Sequence, residues 1–122
     1  MEKGRLFSLS KASESALSNK AYRRVLYTTK ELQYVEMHLR AGQEIGREMH
    51  KDTTQYFYVH GGDGVARVDG RVFSVSAGSV FIVPAGVMHN LTASSGKTGL
   101  WLHTTYSPPH HPEGLVQEEK KS

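Results

Sequence analysis

No cysteine occurs in the 122 residues. That removes disulfides, thiolate nucleophiles, Cys-ligated zinc and iron–sulfur clusters in one step, so any metal must be held by nitrogen and oxygen. Long apolar runs are also missing. The longest, Val80-Phe81-Ile82-Val83, stops at Pro84 and is far too short to cross a bilayer. The first residues carry no apolar stretch of the kind a secretory signal needs, and a reducing cytoplasm is the expected compartment. Charge of one sign is scarce where it would matter. The net charge is +3, but residues 1–34 hold seven Lys/Arg against three Glu, residues 35–106 hold six of each sign, and residues 107–122 hold two against three. The positive surplus sits in the N-terminal arm and leaves the body neutral, which argues against nucleic acid as a partner.

What remains has the rhythm of short strands. Val35, Met37 and Leu39 alternate with Glu36 and His38, and Gln55, Phe57 and Val59 alternate with Tyr56, Tyr58 and His60. Such a period of two marks half-buried strands, with the Gln55 face turned inward. Asp69-Gly70 suits a type I′ hairpin turn, Gly61–Gly64 and residues 94–97 read as turns, and Pro84-Ala85-Gly86 ends the apolar strand 79–83. Turn signals at close intervals without a long helical pattern predict an all-β sandwich or barrel in one domain. Residues 1–20 read as an arm with at most one helical turn near Ser13–Leu17, residues 21–107 as the barrel, and residues 108–122 as an extended, poorly packed polar tail.

Several familiar patterns fail on inspection. Gly96-Lys97-Thr98 lacks the upstream glycine of a phosphate-binding loop, and Gly62-x-Gly64 has Arg67 where a dinucleotide fingerprint needs its third glycine. No Gly-x-Ser-x-Gly elbow exists. A different constellation survives. Glu48 and His50 are two apart, so on a strand they project from one face, and Gln55 opens the next strand facing inward. A closed barrel can bring His89 beside them, making four nitrogen and oxygen donors. The competing reading of Glu48 is a surface carboxylate paired with Arg47 or Lys51, and that of Gln55 a core amide orienting another ligand. His38, His60 and His103 read as surface or turn residues, and His110-His111 as either a solvated pair or a return over the barrel mouth.

The spacing of these residues resembles the cupin superfamily. Its first motif (Gly, five residues, His-x-His, three or four residues, Glu, six residues, Gly) is met by Gly42, Glu48, His50, Gln55 and Gly62. Its second (Gly, five residues, Pro-x-Gly, two residues, His, three residues, Asn) is met by Gly78, Pro84, Gly86 and His89, with Ala93 where Asn is usual. Glu48 replaces the first His and Gln55 the usual Glu, a variant similar to small single-domain cupins related by name to mannose-6-phosphate isomerase. The resemblance implies a double-stranded β-helix, or jelly-roll barrel, and a divalent metal ion (manganese, iron, nickel, cobalt or zinc) on Glu48, His50, Gln55 and His89. It implies a small oxygen-rich ligand such as a sugar or sugar phosphate. Isomerase, lyase and dioxygenase chemistry stay open, as does a non-catalytic carbohydrate-binding or sensing module. Apolar residues at Tyr22, Tyr27, Tyr34, Trp101 and Leu6-Phe7-Leu9 exceed what one small barrel buries, so a homodimer is expected.

Overall fold

The structure is a computed structural model that describes residues 4–96 and 98–121. Lys97 of the turn 94–97 and the first three residues of the arm lie outside it. One short helix, α1 (Ala12–Ser18), precedes eight strands: β1 (Arg23–Thr28), β2 (Gln33–Leu39), β3 (Thr54–Val68), β4 (Arg71–Ser76), β5 (Val80–Val83), β6 (His89–Ala93), β7 (Leu100–Ser107) and β8 (Val116–Gln117). They hydrogen-bond in the order β4-β3-β7-β2-β1-β8, with β5 and β6 also on β3. This is the all-β barrel expected from the alternation, in the jelly-roll form that the resemblance implies.

The alternation decides what is inside. Val35, Met37 and Leu39 of β2 are fully buried and lie opposite Thr104, Leu102 and Leu100 of β7. Gln55, Phe57 and Val59 of β3 face the same interior, where Phe57 stacks on Phe81 at 4.4 Å. The outward residues of β2 and β7 are not left to solvent. Phe7 of the arm stacks on Tyr27 at 5.1 Å and tilts against Tyr34 at 5.6 Å, while α1 lays Ala16 against the sheet. Ser15 Oγ donates to Glu36 Oε2, which explains why an outward-facing Glu36 is only 2% exposed.

Gly61–Gly64 does not turn the chain. Strand β3 runs straight through it, and its first half pairs with β5 while its second half pairs with β4 and β6. The four residues relax the sheet rather than reverse it. A bulge lies between Val59 and Gly61, and Gly62 takes φ +80°. A Cβ there would stand 1.8 Å from the carbonyl oxygen of Gly99, so only glycine lets β3 pass so close to the neighbouring strand. The actual reversal comes at Asp69-Gly70, with φ of 51° and 80°, the type I′ hairpin expected.

The C-terminal segment is extended, as expected, but not loosely packed. Val116–Gln117 pairs with β1, Leu115 packs on the core, and Val25 N donates to Leu115 O at 2.8 Å. The sheet edge at β1 is thus covered by the chain's own end.

Replacing Gly62 by Ala should destabilise the protein by at least about 2 kcal/mol, because backbone on both sides must shift. Gly70→Ala, which meets nothing within 4 Å, should cost only the strain of a positive φ. Chemical denaturation of both variants checks this; equal losses would contradict it.

Candidate metal centre

Two backbone hydrogen bonds place the site. Glu48 N donates to His89 O at 2.9 Å and His89 N donates to Glu48 O at 2.8 Å, an isolated antiparallel bridge that sets the two residues directly opposite each other. Further out the pairing resumes one residue out of register, at Glu44 opposite Thr92, through Ile45 N to Leu91 O and Ala93 N to Gln43 O. Asn90, beside the second-motif histidine, stitches the seam: its Oδ1 accepts from Gly46 N and its Nδ2 donates to Glu44 Oε1. Gly86 N donates to His50 O, so the turn before β6 fixes the position of His50 as well. The two sequence motifs are thereby laid side by side.

The consequence is a compact donor group. Ligand atoms of Glu48, His50 and His89 all lie within 4.8 Å of one another, an arrangement that could hold a metal ion. His50 Nε2 is 3.6 Å from Glu48 Oε1, too far for a good hydrogen bond. His89 is set up to offer Nε2, and His50 is held neutral. His89 Nδ1 lies 3.1 Å from Val87 O, and a carbonyl only accepts, so Nδ1 carries the proton and Nε2 the lone pair. Burial pushes His50 down to about 4, with His110, His89 and Arg23 adding to the shift, so its ring is neutral near pH 7. Gln55 is the fourth donor expected from the sequence. Its Nε2 donates to Thr104 Oγ1 at 2.9 Å, and Thr104 Oγ1 donates in turn to Tyr56 O. That chain orients the amide and leaves Gln55 Oε1 without a partner.

Three buried atoms are orphaned here together: His50 Nε2, His89 Nε2 and Gln55 Oε1. A buried polar atom without a partner is costly, and three of them on the expected ligand residues fit a bound cation. The residues therefore fit the divalent ion implied by their spacing.

The structure also brings in residues whose role was not evident in the sequence. His110 lies on His50 with ring centroids 4.2 Å apart, and His111 meets Tyr106 with its Nε2 3.3 Å from the phenol oxygen. Gln33 holds this return in place, since its Oε1 accepts from the backbone N–H groups of both histidines. Of the two readings of the pair, the return over the barrel is the observed one. Tyr106 sits edge-on to His50 at 5.8 Å, and Arg23 of β1 turns into the same interior as Val25. His60 and His103, read as turn and surface residues, instead form a hydrogen-bonded chain on the outer face. Ser13 Oγ meets His60 Nδ1 at 2.8 Å, and His60 Nε2 meets His103 Nδ1 at 2.7 Å. His38 stacks on Trp101 at 4.5 Å. The signal for these was the set of outward aromatic residues Tyr34, Tyr56, Tyr58 and Trp101 on β2, β3 and β7, more apolar surface than a solvent-facing sheet needs.

A cupin-domain family model matches residues 35–105, which includes both motifs and all four donors. The chain belongs to the cupin family. A crystal structure of BH2720 from Bacillus halodurans superposes with a TM-score of 0.88 at 32% identity, covering 93% of this chain and 89% of that one. Among curated relatives, the uncharacterized protein YrkC of Bacillus subtilis (strain 168) is 36% identical over 84% of the chain and 58% of its own length. The uncharacterized protein L612 of Acanthamoeba polyphaga mimivirus is 34% identical over 84% of the chain and 66% of its own length. This chain thus spans less than two thirds of either relative.

The His60–His103 pair generates a pH prediction. One proton bridges the pair, and burial, aided by His60, pushes His103 down to about 4 from an ordinary 6.5. Between those values the unfolded chain takes up a proton that the folded chain refuses, so stability falls as pH drops through that window. His103→Asn should make the decline in Tm from pH 6.5 to 4 less steep than in the wild type. Parallel profiles would contradict this assignment.

Proposed function

We propose that this cupin domain holds one divalent metal ion on Glu48, His50, Gln55 and His89 and is a small metal-dependent enzyme. The observation that carries the reading is the orphaning of His50 Nε2, His89 Nε2 and Gln55 Oε1, all buried, with Glu48 beside the two histidines. Two imidazoles, one carboxylate and one amide oxygen suit manganese, iron, nickel, cobalt or zinc. Such an ion supplies Lewis acidity, polarising a carbonyl or making water more acidic.

The chain's own residues have distinct parts in this proposal. Glu48 supplies the negative charge and, with its side chain 33% exposed, stands on the solvent side of the group. His89 is locked by Val87 O, and Gln55 is locked through Thr104. His110, lying on His50, and His111 beside it stand where they can exchange protons with a small molecule bound there, a role no residue of the two motifs fills. That is why catalysis is favoured over simple binding. The substrate class is a compact, oxygen-rich molecule, and isomerase, lyase and dioxygenase types are the reactions to assay. A protein that binds such a molecule but leaves it unchanged would be the non-catalytic binding or sensing module instead.

The cytoplasm is the compartment of this proposal; among the described residues no helix is long and apolar enough to cross a membrane. A homodimer also belongs to it, with a changed surface. Tyr22 is buried, and Phe7 covers Tyr27 and Tyr34; of the large hydrophobics that stay exposed, Val80 and Ile82 share the outer side of β5 and are the pair we assign to a second copy. Light scattering at micromolar concentration should give about twice 13.6 kDa, and Ile82→Lys should return a monomer. A wild-type monomer would dismiss the dimer.

Elemental analysis of the protein purified without added ions tests the metal. Replacing His50 or His89 by Ala should lower metal occupancy or affinity at least about tenfold. Gln55→Ala should cost less, because a neutral amide contributes no charge. Undiminished metal in both histidine variants would refute the site.

A further inference from the structure

We infer that Arg23 is an anchor for a carboxylate-bearing ligand of the same site, so that the molecule taken up beside the metal ligands is a hydroxy acid or sugar acid rather than a neutral sugar or a sugar phosphate. The inference rests on the metal reading above for the position of the ligand's other end.

Arg23 is only 7% exposed, on the inward side of β1 and opposite Met37. Among the described residues it makes no salt bridge, and its Nε is buried without a hydrogen-bond partner. Nη1 donates to Gln117 Oε1 of β8 at 2.6 Å, and the guanidinium also interacts with the Tyr22 and Tyr106 side chains, so Nε is the donor left over. A buried guanidinium without a carboxylate is expensive to keep, because no counter-charge offsets its lost hydration. The surroundings do not supply one. Its guanidinium carbon lies 5.0 Å from the centre of the Tyr22 ring, and its charge is felt at Tyr106, His50 and His111. These neighbours are phenols and imidazoles, not carboxylates. Glu48 is the carboxylate of this interior, and it belongs to the donor group with His50 and His89.

The geometry of what is free points to the ligand. With Nη1 held by Gln117, the guanidinium presents its Nε edge, and a planar two-oxygen anion matches an arginine edge with two parallel hydrogen bonds. The Tyr22 and Tyr106 hydroxyls interact with the guanidinium, where they can only accept, and so help to hold it in place. One fixed cation with two phenols suits a single carboxylate; a phosphate dianion calls for a cluster of cations. The chemistry is therefore that of a small molecule with oxygens for the metal ligands at one end and a carboxylate at the other.

Isothermal titration of the metal-loaded protein tests this with malate, 2-hydroxyglutarate and 2-hydroxybutyrate. All three share the 2-hydroxy acid group, but only the first two carry a second carboxylate, on arms of different length. At least one of the two diacids should bind tenfold or more tightly than 2-hydroxybutyrate. Arg23→Met should remove that advantage while leaving 2-hydroxybutyrate affinity and metal stoichiometry unchanged, and Arg23→Lys should restore part of it. Gln117→Ala, which frees the guanidinium from the tail but keeps its charge, should preserve the preference. Equal affinities of all three acids in the wild type would overturn the inference without any variant, as would an Arg23→Met change that weakens all three alike. Glycerol 3-phosphate matching the better diacid would also overturn it. Failure of the metal reading is separately visible, as absence of metal from the wild type or as 2-hydroxybutyrate binding that survives chelation.

Discussion

The reciprocal backbone pairing of Glu48 with His89 is the constraint on which the rest of the site depends. Forty residues separate the two along the chain, and neither side chain could find the other by local structure. The bridge sets them opposite one another, and the bond from Gly86 N to His50 O, two residues on, holds His50 in the same group. Everything that stabilises this seam therefore stabilises the donor group. Asn90 does so with side-chain bonds to Gly46 and Glu44, and Lys120 adds a bond from the C-terminal segment to Glu44 O. A jelly roll suits such a site because its long-range strand pairing is rigid before any ion arrives. The histidines are already ordered by Val87 O and by burial, so little conformational entropy is left to lose on binding.

Both chain ends work on the barrel rather than hanging from it. The N-terminal arm covers the outer face, where Phe7, Ser13 and Ser15 meet Tyr27, His60 and Glu36. The C-terminal segment closes the edge of β1 and brings Gln117 onto Arg23, while His110 and His111 are drawn inward by Gln33. The inner and outer faces of the same strands thus carry two separate histidine groups. One is poised around orphaned nitrogens, and the other is satisfied by hydrogen bonds to its neighbours.

The parts of this that are legible in the sequence are those governed by period and spacing. Val35, Met37 and Leu39 declare the inner face of β2, Gln55 and Phe57 that of β3, and the intervals from Gly42 to Gln55 and from Gly78 to His89 expose the donors. The parts that are not legible depend on what a distant segment covers. Glu36 reads as solvent-facing because nothing near it in the chain announces Ser15. Arg23 lies in a run of basic residues and looks like one of the arm's charges until β1 turns it inward. Gly61–Gly64 carries the composition of a turn, yet its glycines serve close strand approach, which local composition does not distinguish from reversal. His110 and His111, flanked by prolines, return to the site only because Gln33 accepts from both of their backbone N–H groups.

An anomalous difference map from crystals of the protein purified without added ions, with data collected on either side of the absorption edge of the metal found by elemental analysis, tests the central claim most directly. The account predicts one peak at bonding distance, about 2.0–2.3 Å, from His50 Nε2, His89 Nε2 and oxygens of Glu48 and Gln55. A map without a peak among these residues, or with the ion bound elsewhere, would contradict it.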